Sequence, residues 1–192
     1  MKKMSKITLK PLLSIATCLL CAVSVFAANT VSVASGKSAA LRESSKALLE
    51  VDYSATTIDG QPLDEYLQKR GEDYVKNWPK DTEYAAKYFT DRFNKKNKGL
   101  KIVSDESDAS CKIVIHVQKL DMGNSGSMFI PYASAKAGGV IMVGTVDIVD
   151  IKSNEVVCTL AADQIKGGAH VSTTVRMGLM FMELATKMCA IK

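Results

Sequence analysis

Three stretches in the second half of the chain carry the hydrophobic pattern of a β-sheet. In residues 109–120, Cys111, Ile113, Ile115 and Val117 alternate with Lys112, Val114, His116 and Gln118, the period of two that gives a strand one dry and one wetter face. Residues 139–151 are apolar at nearly every position from Val140 to Val149, which predicts a central strand covered on both faces for much of its length. Lys152-Ser153-Asn154-Glu155 then makes a polar turn into Val156-Val157-Cys158-Thr159-Leu160, so residues 140–165 predict an antiparallel hairpin. Earlier, Leu49, Val51 and Tyr53 alternate with Glu50 and Asp52 as a first strand, and residues 100–104 are a short strand candidate.

Helical spacing fills the remainder. Asp59-Gly60-Gln61-Pro62 is turn chemistry that places Pro62 in the first turn of a helix over 62–78, with Leu63, Tyr66, Leu67, Tyr74, Val75 and Trp78 near one face and Pro79 as its stop. A second helix over 82–98 buries Ala85, Tyr88, Phe89 and Phe93 and ends in Lys95, Lys96 and Lys98, which suit the negative end of the helix dipole, ahead of Gly99. A third over 173–190 has a wide apolar surface of Val175, Met177, Leu179, Phe181, Met182, Leu184 and Met188, and should pack across the sheet. The fold class is therefore α/β of the two-layer α+β kind, a mixed sheet of about five strands packed by three helices.

The amino terminus changes how composition is read. Lys2, Lys3 and Lys6 precede an apolar run from Leu12 to Phe26 that closes on Val25-Phe26-Ala27, the small-residue pattern of a cleaved export signal. A membrane span needs ~20 apolar residues, whereas this run is interrupted by Ser14, Thr17 and Ser24. Neither Thr17-Cys18 nor Leu20-Cys21 offers the small residue expected before a lipidated cysteine. The expected organisation is a signal peptide over 1–27, a flexible leader over 28–46 rich in Ser, Ala and Lys, and one domain over 47–192. The mature protein is expected to be periplasmic, with no transmembrane segment.

Without the signal and its four lysines, the 25 basic residues fall to 21 against 20 acidic ones, so the formal charge of +5 falls to +1. No basic field for nucleic acid remains. Of five cysteines, Cys111, Cys158 and Cys189 stay in the mature chain, enough for at most one internal disulfide. Cys111 and Cys158 read as small core residues rather than as a bridge.

Candidate chemistry is sparse. His116 and His170 are the only histidines, and neither has a metal-site spacing, so no metal or cofactor is expected. His170 follows Gly167-Gly168-Ala169 and precedes a helix start, which could hold an anion as any helix start can. Gly36-Lys37-Ser38 resembles the end of a phosphate-binding loop, but Val31 stands where that motif needs glycine. No nucleophile elbow is present. Glu50 and Asp52 share a strand face and read as solvated charges. Asp147, Asp150 and Asp163 around the hairpin are the candidates for a carboxylate site; their local alternative is strand-end polarity. Residues 121–138 are rich in Gly, Ser and Ala yet contain Met128, Phe129, Ile130 and Tyr132, which we read as the partner-binding surface, with cover of a sheet edge as the other use.

The order of elements, with Ala109-Ser110-Cys111-Lys112-Ile113-Val114-Ile115 as a strand ahead of a glycine-rich loop and residues 145–157 as a hairpin, resembles exported bacterial envelope proteins of unknown function. It is similar in plan to the periplasmic domains of the curli secretion lipoprotein and of the lipoprotein activators of peptidoglycan synthases, over residues 48–191. The resemblance implies action by contact in the cell envelope and transfers no catalytic residue set. The expectation is a non-catalytic binding or scaffolding protein whose partner is another envelope protein or a glycan. The alternative is a hydrolase of an envelope polymer using Asp147, Asp150 or Asp163. An enzyme should gather these carboxylates in one cleft, whereas a binding domain should leave them dispersed.

Overall fold

The strand that alternates around Ile113 is the middle of the molecule. The computed structural model describes residues 29–43, 45–123 and 138–191. Among these, eight strands form one mixed sheet: β1 (Thr30–Gly36), β2 (Lys46–Asp52), β3 (Thr57–Ile58), β4 (Gln61–Pro62), β5 (Lys101–Ile102), β6 (Cys111–Asp121), β7 (Ile141–Asp150) and β8 (Val156–Lys166). Three helices accompany it: α1 (Leu63–Arg70), α2 (Glu72–Lys96) and α3 (Thr173–Met188). The main strand order is β1-β8-β7-β6-β2-β5, with β3 beside the far end of β6 and β4 beside β3. β1, β8, β7 and β6 pair antiparallel in that order, and β2 and β3 join β6, and β5 joins β2, in parallel. The α+β class, the hairpin within 140–165 and the five expected strands are all present; β1, β3 and β4 are additional.

One face of the sheet is dry because period-two alternation sends every second side chain to it. Ala47, Ile113, Ile115, Val146, Ile148 and Leu160 are buried there beneath Phe89, Phe93, Met180 and Phe181 of the helices. A register shift between Val117 and Lys119 reverses the alternation of β6, so Leu120 reaches the same core as Val117. The Phe89 and Phe93 rings stack at 5.7 Å between centroids, and Phe181 meets Phe89 edge-on at 6.5 Å. Burying a phenylalanine completely is worth ~1.5–3 kcal/mol, so this triplet is a main link between α2 and α3. Gly178 lets the two helices approach, since a Cβ there would lie 3.0 Å from Cγ of Tyr88.

Three expectations change. The helices expected over 62–78 and 82–98 divide at Gly71, not at Pro79. Gly71 has φ 105°, a conformation that favours glycine, and it ends α1 while opening α2. Pro79 lies inside α2, where its missing N–H leaves the Val75 carbonyl without a helical donor; Val75 is exposed, so water can serve that oxygen. Second, residues 30–36, expected within a flexible leader, pair with β8, and Leu41 is buried in the core. Val31 and Val33 separated by small polar residues suffice for an edge strand, whose outer side needs no apolar cover. Third, β7 is central but not covered twice. Met142, Gly144, Val146 and Ile148 are buried, whereas Ile141, Val143, Thr145, Asp147 and Val149 on the other face stay partly exposed.

Candidate functional site on the open sheet face

The face of the sheet opposite the helices carries a polar row set in aliphatic surroundings. Parallel pairing of β2 with β6 places Asp52 directly beside His116. Antiparallel pairing places Asp147 opposite Val114, one step along the same face of β6, and Thr159 opposite Asp147. His116 is held from both sides, with Nδ1 3.1 Å from Oδ2 of Asp52 and Nε2 3.3 Å from Oδ2 of Asp147. Thr159 Oγ1 donates to Oδ1 of Asp147 at 2.7 Å. Ser54 N donates to Oδ1 of Asp52 at 2.9 Å. The side chains of Asp52, His116 and Asp147 are 35%, 36% and 20% exposed, so the row borders solvent.

Each member is placed by a local cause. Asp52 ends β2, where the chain turns, and its carboxylate accepts the N–H two residues on, as aspartates at strand ends do. That backbone hydrogen bond is the main reason the carboxyl is held down at about 2; a contact with the Ser54 side chain and the His116 hydrogen bond add to it. His116 stands at a wet-face position of β6 and Asp147 at one of β7. The ring is hydrogen-bonded to Asp52 through Nδ1, and its Nε2 lies within ion-pair distance of Asp147.

This order of groups is unsuited to nucleophilic catalysis. Both ring nitrogens of His116 face carboxylates, leaving neither to take a proton from a hydroxyl, and Thr159 directs its own proton to Asp147. The residues around the row are Leu48, Val114, Val143, Val149 and Val157, all half-buried or exposed, together with a loose Lys112–Glu50 pair at 3.7 Å. Such a surface can dock a partner's apolar side chains around a charged centre.

The carboxylate candidates do not converge. Asp147 is in the row, Asp150 accepts the N–H and hydroxyl of Ser153 in the hairpin turn, and Asp163 is exposed on β8 opposite Thr30. The turn N–H of Ser153 is the main cause that lowers the carboxyl of Asp150. His170 accepts the backbone N–H of Ser172 through Nδ1 at 3.0 Å, a turn-stabilising role. Cys111, Cys158 and Cys189 are all free thiols, and burial raises the pKa of each. Among the described residues no group of three or more His, Cys, Asp or Glu side chains could hold a metal ion. Met128, Phe129, Ile130 and Tyr132 lie outside the described residues.

The pairing of Asp52 with His116 had one legible sign, that both stand on the wetter face of an alternating strand. Their sequence separation of 64 residues gave no sign that the strands would be neighbours.

No family model matches this chain, and no curated protein matches it. Among solved structures it is similar to the PelC dodecamer from Paraburkholderia phytofirmans, with a TM-score of 0.43 and 11% identity over 85% of this chain and 98% of that one. A point-substituted PelC dodecamer from the same organism gives a TM-score of 0.38 and 12% identity over the same shares. Neither likeness is close enough to carry an inference about assembly or activity. Among the described residues no helix is long and apolar enough to cross a membrane.

Proposed function

We propose that this chain is an exported, non-catalytic protein of the bacterial cell envelope that acts by contact, using the open face of its sheet to bind a protein partner. The single observation that carries the reading is β7: its sequence is apolar on both faces, yet the helices cover only one. Ile141, Val143 and Val149, joined by Leu48, Val114 and Val157 from neighbouring strands, form an aliphatic surface that gains from being dried.

The chemistry of the face favours protein over glycan. It is aliphatic, and among the described residues no aromatic side chain stands on it for a sugar ring to stack on. Its centre holds two carboxylates around one imidazole, a net negative site that calls for a basic residue from the partner. Dispersal of Asp147, Asp150 and Asp163 supports contact over polymer hydrolysis. The basic start, apolar run and Val25-Phe26-Ala27 support export, and the likeness in plan to envelope lipoprotein domains points to the same compartment.

The test is site-specific photocrosslinking in the native envelope. A crosslinker at Val143 or Val114 should give one discrete protein adduct that a Val157→Lys change weakens, while one at Lys87 on α2 should not. Adducts from the helix side alone would refute the assignment of the face, and a glycan adduct would refute the choice of partner. Intact mass of the native protein, expected to begin at Ala28 without lipid, tests the export reading.

A further inference from the structure

Between α1, the first turns of α2 and the start of α3 lies a partly enclosed cavity of about 110 Å³. Arg176 of α3 lines it and is only 2% exposed. Its Nη1 donates to the carbonyls of Met122 at 2.5 Å and Gly138 at 3.3 Å, and its Nη2 to Oγ1 of Thr173 at 3.3 Å. Nε has no partner although it is buried. Among the described residues no carboxylate pairs with this guanidinium. A buried cation with neither a counter-charge nor a full set of acceptors is costly, so an unfilled N–H at its edge needs an explanation.

Two further features aim positive charge at the same cavity. Arg70 also lines it, with its guanidinium 4.8 Å from the centre of the Tyr74 ring and 5.6 Å from that of Tyr66, and it too lacks a carboxylate partner among the described residues. Thr173, at the first position of the 16-residue α3, brings the positive end of that helix, whose first turn contains no acid. Asp59 and Asp81 are the opposing charges in the lining, and each is already engaged, Asp59 by the N–H of Met122 at 3.1 Å and Asp81 by the hydroxyl of Thr174 at 2.6 Å.

We propose that this cavity is an oxyanion site that takes a carboxylate or phosphate group, gripped side-on by Nε and Nη2 of Arg176 and faced by Arg70 and the N-terminus of α3. A guanidinium edge presents two parallel N–H groups whose spacing matches two oxygens of such a group. The cavity admits an anionic group and not a nucleotide. Tyr74, Asp81 and Thr173 also border an adjoining open groove of about 540 Å³, which has room for the body of a larger ligand that carries the anion. Asp59 and Asp81 offset part of the positive field of Arg70 and Arg176, which disfavours a dianion and hence favours a carboxylate over a phosphate dianion. The site is separate from the open sheet face, so its failure leaves the contact reading standing.

Trp78, the only tryptophan of the chain, lines the cavity and reports on it directly. The purified protein is titrated with sodium acetate, with sodium phosphate and with sodium chloride at matched ionic strength, following Trp78 emission and Tm. A saturable change with acetate or phosphate and none with chloride is expected, and the tighter of the two anions identifies the source. Arg70→Gln, at an exposed position, should weaken binding about tenfold, the loss of one charge-assisted hydrogen bond. Arg176→Lys, which keeps the charge and removes the fork, should weaken it at least as much. The proposal is overturned if neither anion gives a saturable change in emission or Tm, if chloride acts equally, or if a folded Arg70→Gln protein binds as tightly as the parent.

Discussion

Acid should remove one specific contribution to stability, and Asp52→Asn isolates it. The carboxyl of Asp52 is lowered from its ordinary 3.8 to about 2, chiefly by the Ser54 N–H, then by the Ser54 side chain and by His116. Each tenfold change in proton affinity is ~1.4 kcal/mol, so a fully shielded group with this depression would contribute ~2.4 kcal/mol. The side chain is about one-third exposed, and solvent screening reduces the expectation to ~1 kcal/mol. The folded state binds this proton less readily than the unfolded chain, so the contribution is complete above the ordinary carboxylate range and fades as pH falls from about 4 toward 2. Asparagine keeps an oxygen for the Ser54 N–H and removes the charge. Urea unfolding at pH 5.5 should therefore find Asp52→Asn less stable by ~1 kcal/mol, with the difference reduced to roughly a third at pH 2.5. Carboxyl NMR titration of His116→Ala adds a second reading: because the Ser54 N–H is the largest cause, Asp52 should still titrate well below 3.8. An Asp52 that titrates normally in the parent protein, or returns fully to normal once His116 is removed, would refute the assigned cause.

Other changes address the packing. Phe181→Ala empties the junction of α2, α3 and the sheet and should cost ~3–5 kcal/mol in urea unfolding. Pro79→Ala restores an N–H inside α2 and should stabilise by ~1 kcal/mol or more, read as a higher Tm; a fall in Tm would show that the ring's packing outweighs the missing hydrogen bond. Thiol counting on the denatured, unreduced mature protein should find three free groups, matching Cys111, Cys158 and Cys189; a single free thiol would reveal a disulfide.

Most elements were legible because helix and strand periodicity is local. His116 and Asp147 could be placed on the wetter face of their strands from alternation alone, and Arg176 could have been noticed as a charge four residues before Met180 on the apolar side of α3. Boundaries were less legible where two local signals competed. Pro79 is the stronger helix breaker by propensity, yet Gly71 divides the helices because a backbone at φ 105° cannot continue one, while a proline loses a single bond where its partner oxygen meets water.

By itself, the sequence determined the α+β class, the hairpin and the apolar helix surfaces, all properties of neighbouring residues. Only the tertiary structure decided which strands are neighbours. A parallel pairing of β2 with β6 leaves no turn between them to set register, so nothing near Asp52 or near His116 in the chain announces that the two side chains meet. The same holds for the second face of β7. An apolar run is equally compatible with cover on one side or two, and among the described residues the helices all lie on the other side of the sheet.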